Sequence, residues 1–338
     1  MTAHRSAGTF NVGRAIWYVK PGQAELRPQR LARPGPAEAL VRTQWSAVSR
    51  GTERLVLSGL VGESERERMR CPLQEGSFPF PVKYGYCATG IVAAGPDDLR
   101  GRTVFCLHPH QDVFIAPVSM LTPVPDGVPA RRATLAANME TALNAHWDAG
   151  SGPGDTIVVV GAGIVGLLIA YLAARLPGAD VAVVDIDPGK RDLIEALGAR
   201  FVAAGTHATA LPAAADVVFH ASASAAGLAT ALDVAGLEAR IVEMSWYGDK
   251  AVAAPLGGPF HSQRLRLVSS QVGQVAPSRR PRWSHARRLA KAVSMLDAPV
   301  LDRLVAEEIP FDEAGELLPG ILSDGAGGLP PVIRYPAA

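Results

Sequence analysis

The stretch Thr156–Gly166 (TIVVVGAGIVG), followed by Asp180–Asp187 (DVAVVDID), decides how this chain is read. Ile157–Val160 is an unbroken β-branched run, the pattern of a strand covered on both faces of a parallel sheet. Gly161, Gly163 and Gly166 then follow as GxGxxG and open an apolar helix. Asp185 closes the next apolar strand, 19 residues after Gly166. Each part of this spacing has a physical use. The first glycine permits a tight turn, the second lets the backbone approach a pyrophosphate, and the third lets helix pack on strand. The helix start at Ile164 and Val165 adds partial positive charge for phosphate oxygens. Asp185 would accept hydrogen bonds from ribose hydroxyls and repel a 2′-phosphate, so the pattern predicts a dinucleotide site that prefers NAD over NADP. Lys190 and Arg191 lie close enough in sequence to soften that preference, leaving NADP as an alternative. The uncharged run Ile157–Ala174 has about the length of a membrane span, but its glycines mark a strand turning into a helix.

Working outward from this motif, helices and strands alternate from about Ala133 onward, as in a doubly wound parallel sheet. Strands are predicted at Thr156–Val160, Asp180–Val184, Asp216–His220, Arg240–Met244 and Leu265–Ser269, and an amphipathic helix at Trp283–Leu296. By the rule that ligands bind outside the carboxyl ends of such strands, Ala221, Ser222, Ser245 and Ser270 are further cofactor-facing candidates. The first 130 or so residues read instead as short strands punctuated by Gly and Pro: Arg14–Val19, Ala39–Ser46, Ala88–Ala93, Thr103–Leu107 and Val113–Ala116. Between them Gly62–Arg70 (GESERERMR) spaces Glu and Arg three and four apart, predicting a solvated surface helix.

Composition narrows the classes. The 338 residues favour two domains, and 48% hydrophobic with 19% charged residues excludes a disordered chain. A net charge of +1 gives no field for nucleic acid or an anionic membrane, so a small-molecule substrate is expected and neither of those partners. The basic concentration around Arg279, Arg280, Arg282, Arg287, Arg288 and Lys291 reads as a solvated helix face. Cys71, Cys87 and Cys106 are too few for a disulfide framework and fit a reducing compartment. Met1–Lys20 lacks a continuous apolar core, so no secretory signal is read and a cytoplasmic location is expected.

A mainly β first half, a Rossmann half beginning near residue 150 and a C-terminal return resemble the medium-chain dehydrogenase/reductase superfamily, alcohol dehydrogenase-like, over essentially the whole chain. Gly35–Arg42 (GPAEALVR), Ala149–Asp155 (AGSGPGD) and Glu195–Ala199 (EALGA) are similar to that family's strings, and Ser49–Glu53 (SRGTE) resembles the SxGTE stretch of bacteriochlorophyllide dehydrogenase-like members. The resemblance implies an α/β fold: a discontinuous GroES-like mainly-β catalytic domain (1–135 and 300–338) and a Rossmann NAD-binding domain (136–299). It also implies a homodimer joined near Leu265–Gly273. The zinc ligands of the family align here with Ser49 or Arg50, with Gly85-Tyr86-Cys87 and with Ala137 or Asn138, so no zinc is expected. An alternative metal set, Cys106, His108 and His110, would share one face of a strand, but Pro109 interrupts it.

Without zinc, interconverting a hydroxyl and a carbonyl requires a side-chain acid or base. Tyr86 stands where a zinc histidine aligns, with Lys83 nearby to lower its pKa; Glu140, on the helix leading into the Rossmann half, is the second catalytic candidate. Ser49 and His108, with Thr52, are relay candidates, and Asn138 is a substrate-orienting one. Trp45, Tyr84, Trp246 and Tyr247 are candidates for holding a ring-containing substrate, with ordinary packing as the alternative. The expected activity is a zinc-independent NAD(H)-dependent oxidation or reduction at a hydroxyl carbon. Quinone or enoyl reduction, and a silent cofactor-binding protein, are the alternatives.

Overall fold

The computed structural model describes residues 11–211 and 214–337; residues 1–10, part of the stretch read for a leader, lie outside them. It divides into two compact units, one of residues up to Thr134 together with those from Val305 onward, the other Leu135–Leu304.

The first unit begins with a hairpin. Strand β1 (Asn11–Lys20) turns at Gly22, with φ +70°, into β2 (Gln23–Leu31). β2 was not legible in sequence, because QAELRPQRL is polar and contains Pro28. It forms because it is a sheet edge, with Pro28 opposite Arg14, where a missing N–H is tolerated. β3 (Glu38–Ala47) is the hub of a second sheet and leads into helix α1 (Arg50–Leu57). β3 pairs antiparallel with β4 (Ala88–Ala94) and with β6 (Val113–Pro117), and β4 pairs with β5 (Thr103–Cys106). Ala39, Val41, Val92, Val104, Phe114 and Cys106 close a dry core between these strands. The expected helix at 62–70 is only a short 3₁₀ turn, Glu63–Glu65. Met69 is the one apolar side chain in GESERERMR, so a helix there has no face to bury, and Arg70 instead ties the loop to the Gln74 and Gly76 carbonyls.

The second unit opens on helix α2 (Ala136–Ala149), then strand β7 (Thr156–Val160), helix α3 (Ile164–Ala173) and strand β8 (Asp180–Asp185). β9 (Arg200–Ala203), β10 (Ala215–His220), helix α4 (Ala225–Asp233), β11 (Ala235–Glu243), β12 (Arg266–Ser269) and helix α5 (His285–Ser294) follow. All six strands are parallel, in the order β9-β8-β7-β10-β11-β12. The order reverses between β7 and β10, the switch point at which such sheets bind ligands. β9 is an addition to the sequence reading, a four-residue edge strand too short to show periodicity.

The chain then returns to the first unit. β13 (Glu308–Pro310) runs parallel to β14 (Val332–Arg334), which pairs antiparallel with β3 through Trp45, Ser46 and Ala47. Among the described residues no helix is long and apolar enough to cross a membrane.

Candidate functional sites

The glycine turn behaves as its spacing predicts. Gly161 has φ +105°, and a Cβ on it would lie 2.7 Å from the Ser222 backbone nitrogen. A Cβ on Gly166 would strike the Gly161 carbonyl oxygen, whereas Gly163 meets nothing within 4 Å and is exposed. The second glycine therefore leaves an open cradle at the start of α3, where Ile164 and Val165 supply the first helical amides. These residues fit a dinucleotide diphosphate.

Asp185, at the end of β8, is 8% exposed. Its carboxylate accepts from the Ala162 amide at 2.6 Å, the Asp187 amide at 2.9 Å and Lys190 Nζ at 3.2 Å. It thus holds the glycine turn and keeps acceptor capacity for a hydroxyl. Arg191 is occupied elsewhere, paired with Glu195 at 3.5 Å and lying 4.6 Å over the Phe201 ring.

At the ends of β10 and β11, Ala221 extends the ladder by donating to Val160, and Ser222 accompanies a buried pair absent from the sequence reading. His220 Nδ1 lies 2.7 Å from Glu243 Oε2 and its Nε2 2.7 Å from Ser222 Oγ. Tyr247 donates to the same Glu243 oxygen at 3.3 Å, and the Ser245 amide donates to the other at 2.8 Å. Burial pushes the Glu243 carboxyl up, but hydrogen bonds from His220 and Ser245 outweigh it and leave the group below its ordinary range. The hydroxyl of Ser245 accepts from the Ala223 amide, and that of Ser270 donates to Asp148 at 2.7 Å.

In the first unit, α1 carries Thr52 and is preceded by Ser49, and the segment before β4 carries Tyr86. These three hydroxyls meet. The Tyr86 phenol donates to Ser49 Oγ in a short hydrogen bond and lies 3.2 Å from Thr52 Oγ1. The expected cation does not act on it, because the Lys83 ammonium is turned to Glu75 and to Gln111, the latter at 2.7 Å. Burial instead pushes the phenol well above the ordinary tyrosine value, so Tyr86 is a protonated donor at neutral pH, not an activated base.

Beneath the trio lies a buried chain that the sequence reading missed. Glu53 accepts from the Ser49 amide at 2.6 Å, from the Tyr18 phenol at 2.6 Å and from His110 Nε2 at 3.0 Å. His110 Nδ1 takes the Ser46 hydroxyl at 2.7 Å, and Ser46 Oγ lies 2.9 Å from the Tyr335 phenol. Burial pushes the Glu53 carboxyl up, but these partners outweigh it and leave the group below its ordinary range, so it stays ionised and pins the backbone beneath Ser49. Glu53 stood in the SRGTE string that drew attention to Ser49, but its partners lie up to 57 residues away in sequence.

The other candidates have surroundings of their own. Glu140 faces Arg288 of α5 at 3.0 Å; burial pushes its carboxyl up and Arg288 opposes this. His108 stacks on Phe114 at 3.8 Å, donates to the Pro109 carbonyl and is pushed down to about 3 by burial, so it is neutral. Tyr84 is packed between Phe78 and Tyr86, whereas Trp45 is half-buried under the Arg131 guanidinium, 5.1 Å away. Asn138 of α2 and Trp246, past β11, are half-buried in the second unit. Cys106, His108 and His110 are not gathered: among the described residues no group of three or more His, Cys, Asp or Glu is placed to hold a metal ion. Cys87 is buried, and burial drives its thiol up.

No family model matches the chain. An 88-residue stretch is 38% identical to an uncharacterized zinc-type alcohol dehydrogenase-like protein of Haemophilus influenzae, covering 26% of this chain and 25% of that relative. The chain therefore spans a quarter of the length of the curated relative it matches. Among solved structures, a protein from Sinorhizobium meliloti assigned as a zinc-binding dehydrogenase, bound to NADP, superposes with TM-score 0.77 at 19% identity, over 96% of this chain and 99% of its own. A short chain alcohol dehydrogenase from Escherichia coli, complexed with NADH, superposes with TM-score 0.74 at 14% identity over the same shares. At these identities the likeness is one of fold: a GroES-like β unit and a Rossmann unit, as in the medium-chain dehydrogenases.

Proposed function

We propose that this protein is a zinc-independent, NAD(H)-preferring oxidoreductase that interconverts a carbonyl and a hydroxyl on a ring-containing small molecule. The observation that carries the reading is the Tyr86, Ser49 and Thr52 trio, a set of hydroxyls of which Ser49 and Tyr86 stand where zinc ligands align in the resembling family. The open glycine cradle and Asp185 support the cofactor assignment. A bound nicotinamide supplies the hydride acceptor or donor.

The residues themselves handle the oxygen. With Tyr86 donating to Ser49, the hydrogen of Ser49 is left to point at a substrate carbonyl. As hydride adds to the carbonyl carbon, the developing alkoxide takes the Ser49 proton, Ser49 takes that of Tyr86, and the phenolate so formed regains its proton from solvent. A phenol held protonated favours this reductive direction over removal of a hydroxyl proton. Glu53 fixes Ser49 through its amide, and half-buried Trp45 offers a flat apolar surface.

The test is turnover by chelator-treated protein with NADH across a panel of ring-bearing ketones, aldehydes and the matching alcohols. Ketone or aldehyde reduction is expected without added metal. Tyr86→Phe is expected to slow turnover by about 10²–10⁴-fold while NADH affinity changes less than twofold. Activity that appears only on adding zinc, or an unimpaired Tyr86→Phe variant, contradicts the reading.

A further inference from the structure

We propose that Ser222 is a one-way hydrogen-bond acceptor for a ribose hydroxyl, its polarity set by His220 and Glu243; this rests on the dinucleotide reading above. The ionised Glu243 can only accept, so the 2.7 Å contact places a proton on His220 Nδ1. If that is the ring's one proton, Nε2 is an acceptor, and the 2.7 Å contact with Ser222 is made by the serine's own hydrogen. Ser224 Oγ accepts from the Gly227 amide at 3.0 Å, which leaves its hydrogen for Ser222 Oγ, also 3.0 Å away. Ser222 is left with one lone pair and no hydrogen to offer. A ligand group reaching it must be a donor; a phosphate oxygen there would be repelled.

The surroundings fix this oxygen in place. His220 is fully buried, Tyr247 also donates to Glu243, and a Cβ on Gly227 would strike Ser222 Oγ and lie 2.8 Å from His220 Nε2. Ser222 is half-buried and its backbone abuts the Gly161 turn. It lies across β7 from Asp185, since β8 and β10 flank β7 on opposite sides. With Asp185 taking the adenosine ribose, the hydroxyl arriving at Ser222 belongs to the second ribose, beyond the diphosphate.

Calorimetric titrations with ADP, ADP-ribose and NADH test this, because ADP-ribose carries the second ribose and lacks the nicotinamide. Ser222→Ala is expected to weaken ADP-ribose and NADH about tenfold and to leave ADP within twofold, ADP binding also reporting that the variant is folded. Equal losses for ADP and ADP-ribose, no loss at all, or a loss confined to NADH would overturn the proposal. ¹⁵N NMR of the intact protein is expected to show His220 protonated at Nδ1 and bare at Nε2; the opposite tautomer, or protons on both nitrogens, would overturn it as well. Wild-type protein that binds none of the three probes would instead contradict the dinucleotide reading.

Discussion

At the residue scale, the chemistry of this protein rests on side chains whose neighbours decide what they can do. Tyr86 stands where a zinc ligand aligns in the resembling family and so was legible; the direction of its pKa was not, because Lys83 points to Glu75 and Gln111, a matter of rotamer and packing. His220 and Glu243 were invisible for the same reason, being 23 residues apart and joined only when β10 and β11 pair. Asp185 was legible from spacing alone, yet its second task, holding the Ala162 amide, was not. Asp185→Ser is therefore expected to weaken NADH at least tenfold and to shift preference toward NADPH, with Lys190 freed for a 2′-phosphate. Parallel fluorescence titrations of the two cofactors check this; an unchanged preference would show that Asp185 does not face the ribose.

At the level of elements, Glu140 and Arg288 join α2 to α5. The Arg288 side chain also reaches Asn144 at 2.6 Å and the Gln274 carbonyl at 3.2 Å. Arg288 was read as part of a solvated basic face, but it is 1% exposed, and its helix buries Leu289, Ala292 and Val293 on the same side. Composition alone cannot tell which arginine of a basic run turns inward. Arg288→Met strands a buried carboxyl and is expected to cost about 3–5 kcal/mol in chemical denaturation, with Glu140→Leu in the same chain restoring much of it. A stable Arg288→Met protein, or a single Glu140→Gln variant that folds well yet loses turnover, would return Glu140 to a catalytic part. Gly166→Ala is expected to prevent a stable second unit from forming, since its methyl would occupy the place of the Gly161 carbonyl oxygen. Soluble, folded Gly166→Ala protein would contradict that packing.

For the molecule as a whole, the sheet-forming strands and the returning C-terminal segment were legible where apolar runs were long. They were not where strands were short or polar, as β2 and β9 are. Burial also gives the protein an acid-sensitive balance. It pushes His108 down to about 3 and His146 to about 4, from an ordinary 6.5. Below that ordinary value the unfolded chain binds protons that the folded one refuses, so stability falls as pH falls. Two such histidines account for up to about 3 kcal/mol per pH unit between roughly pH 6 and pH 4. Urea midpoints at pH 7, 6 and 5 are expected to drop in that order; midpoints flat across the range would mean that these rings are protonated in the folded state.

The central claim is that a dinucleotide fold has kept its nicotinamide cofactor while replacing zinc with hydroxyls. It is tested most directly by titrating NADH into metal-depleted protein and following the fluorescence of the bound nicotinamide. The account predicts saturable binding of about one NADH per chain, tighter than NADPH and unchanged when zinc is added back. Absence of saturable binding, or binding that depends on restored zinc, would contradict it.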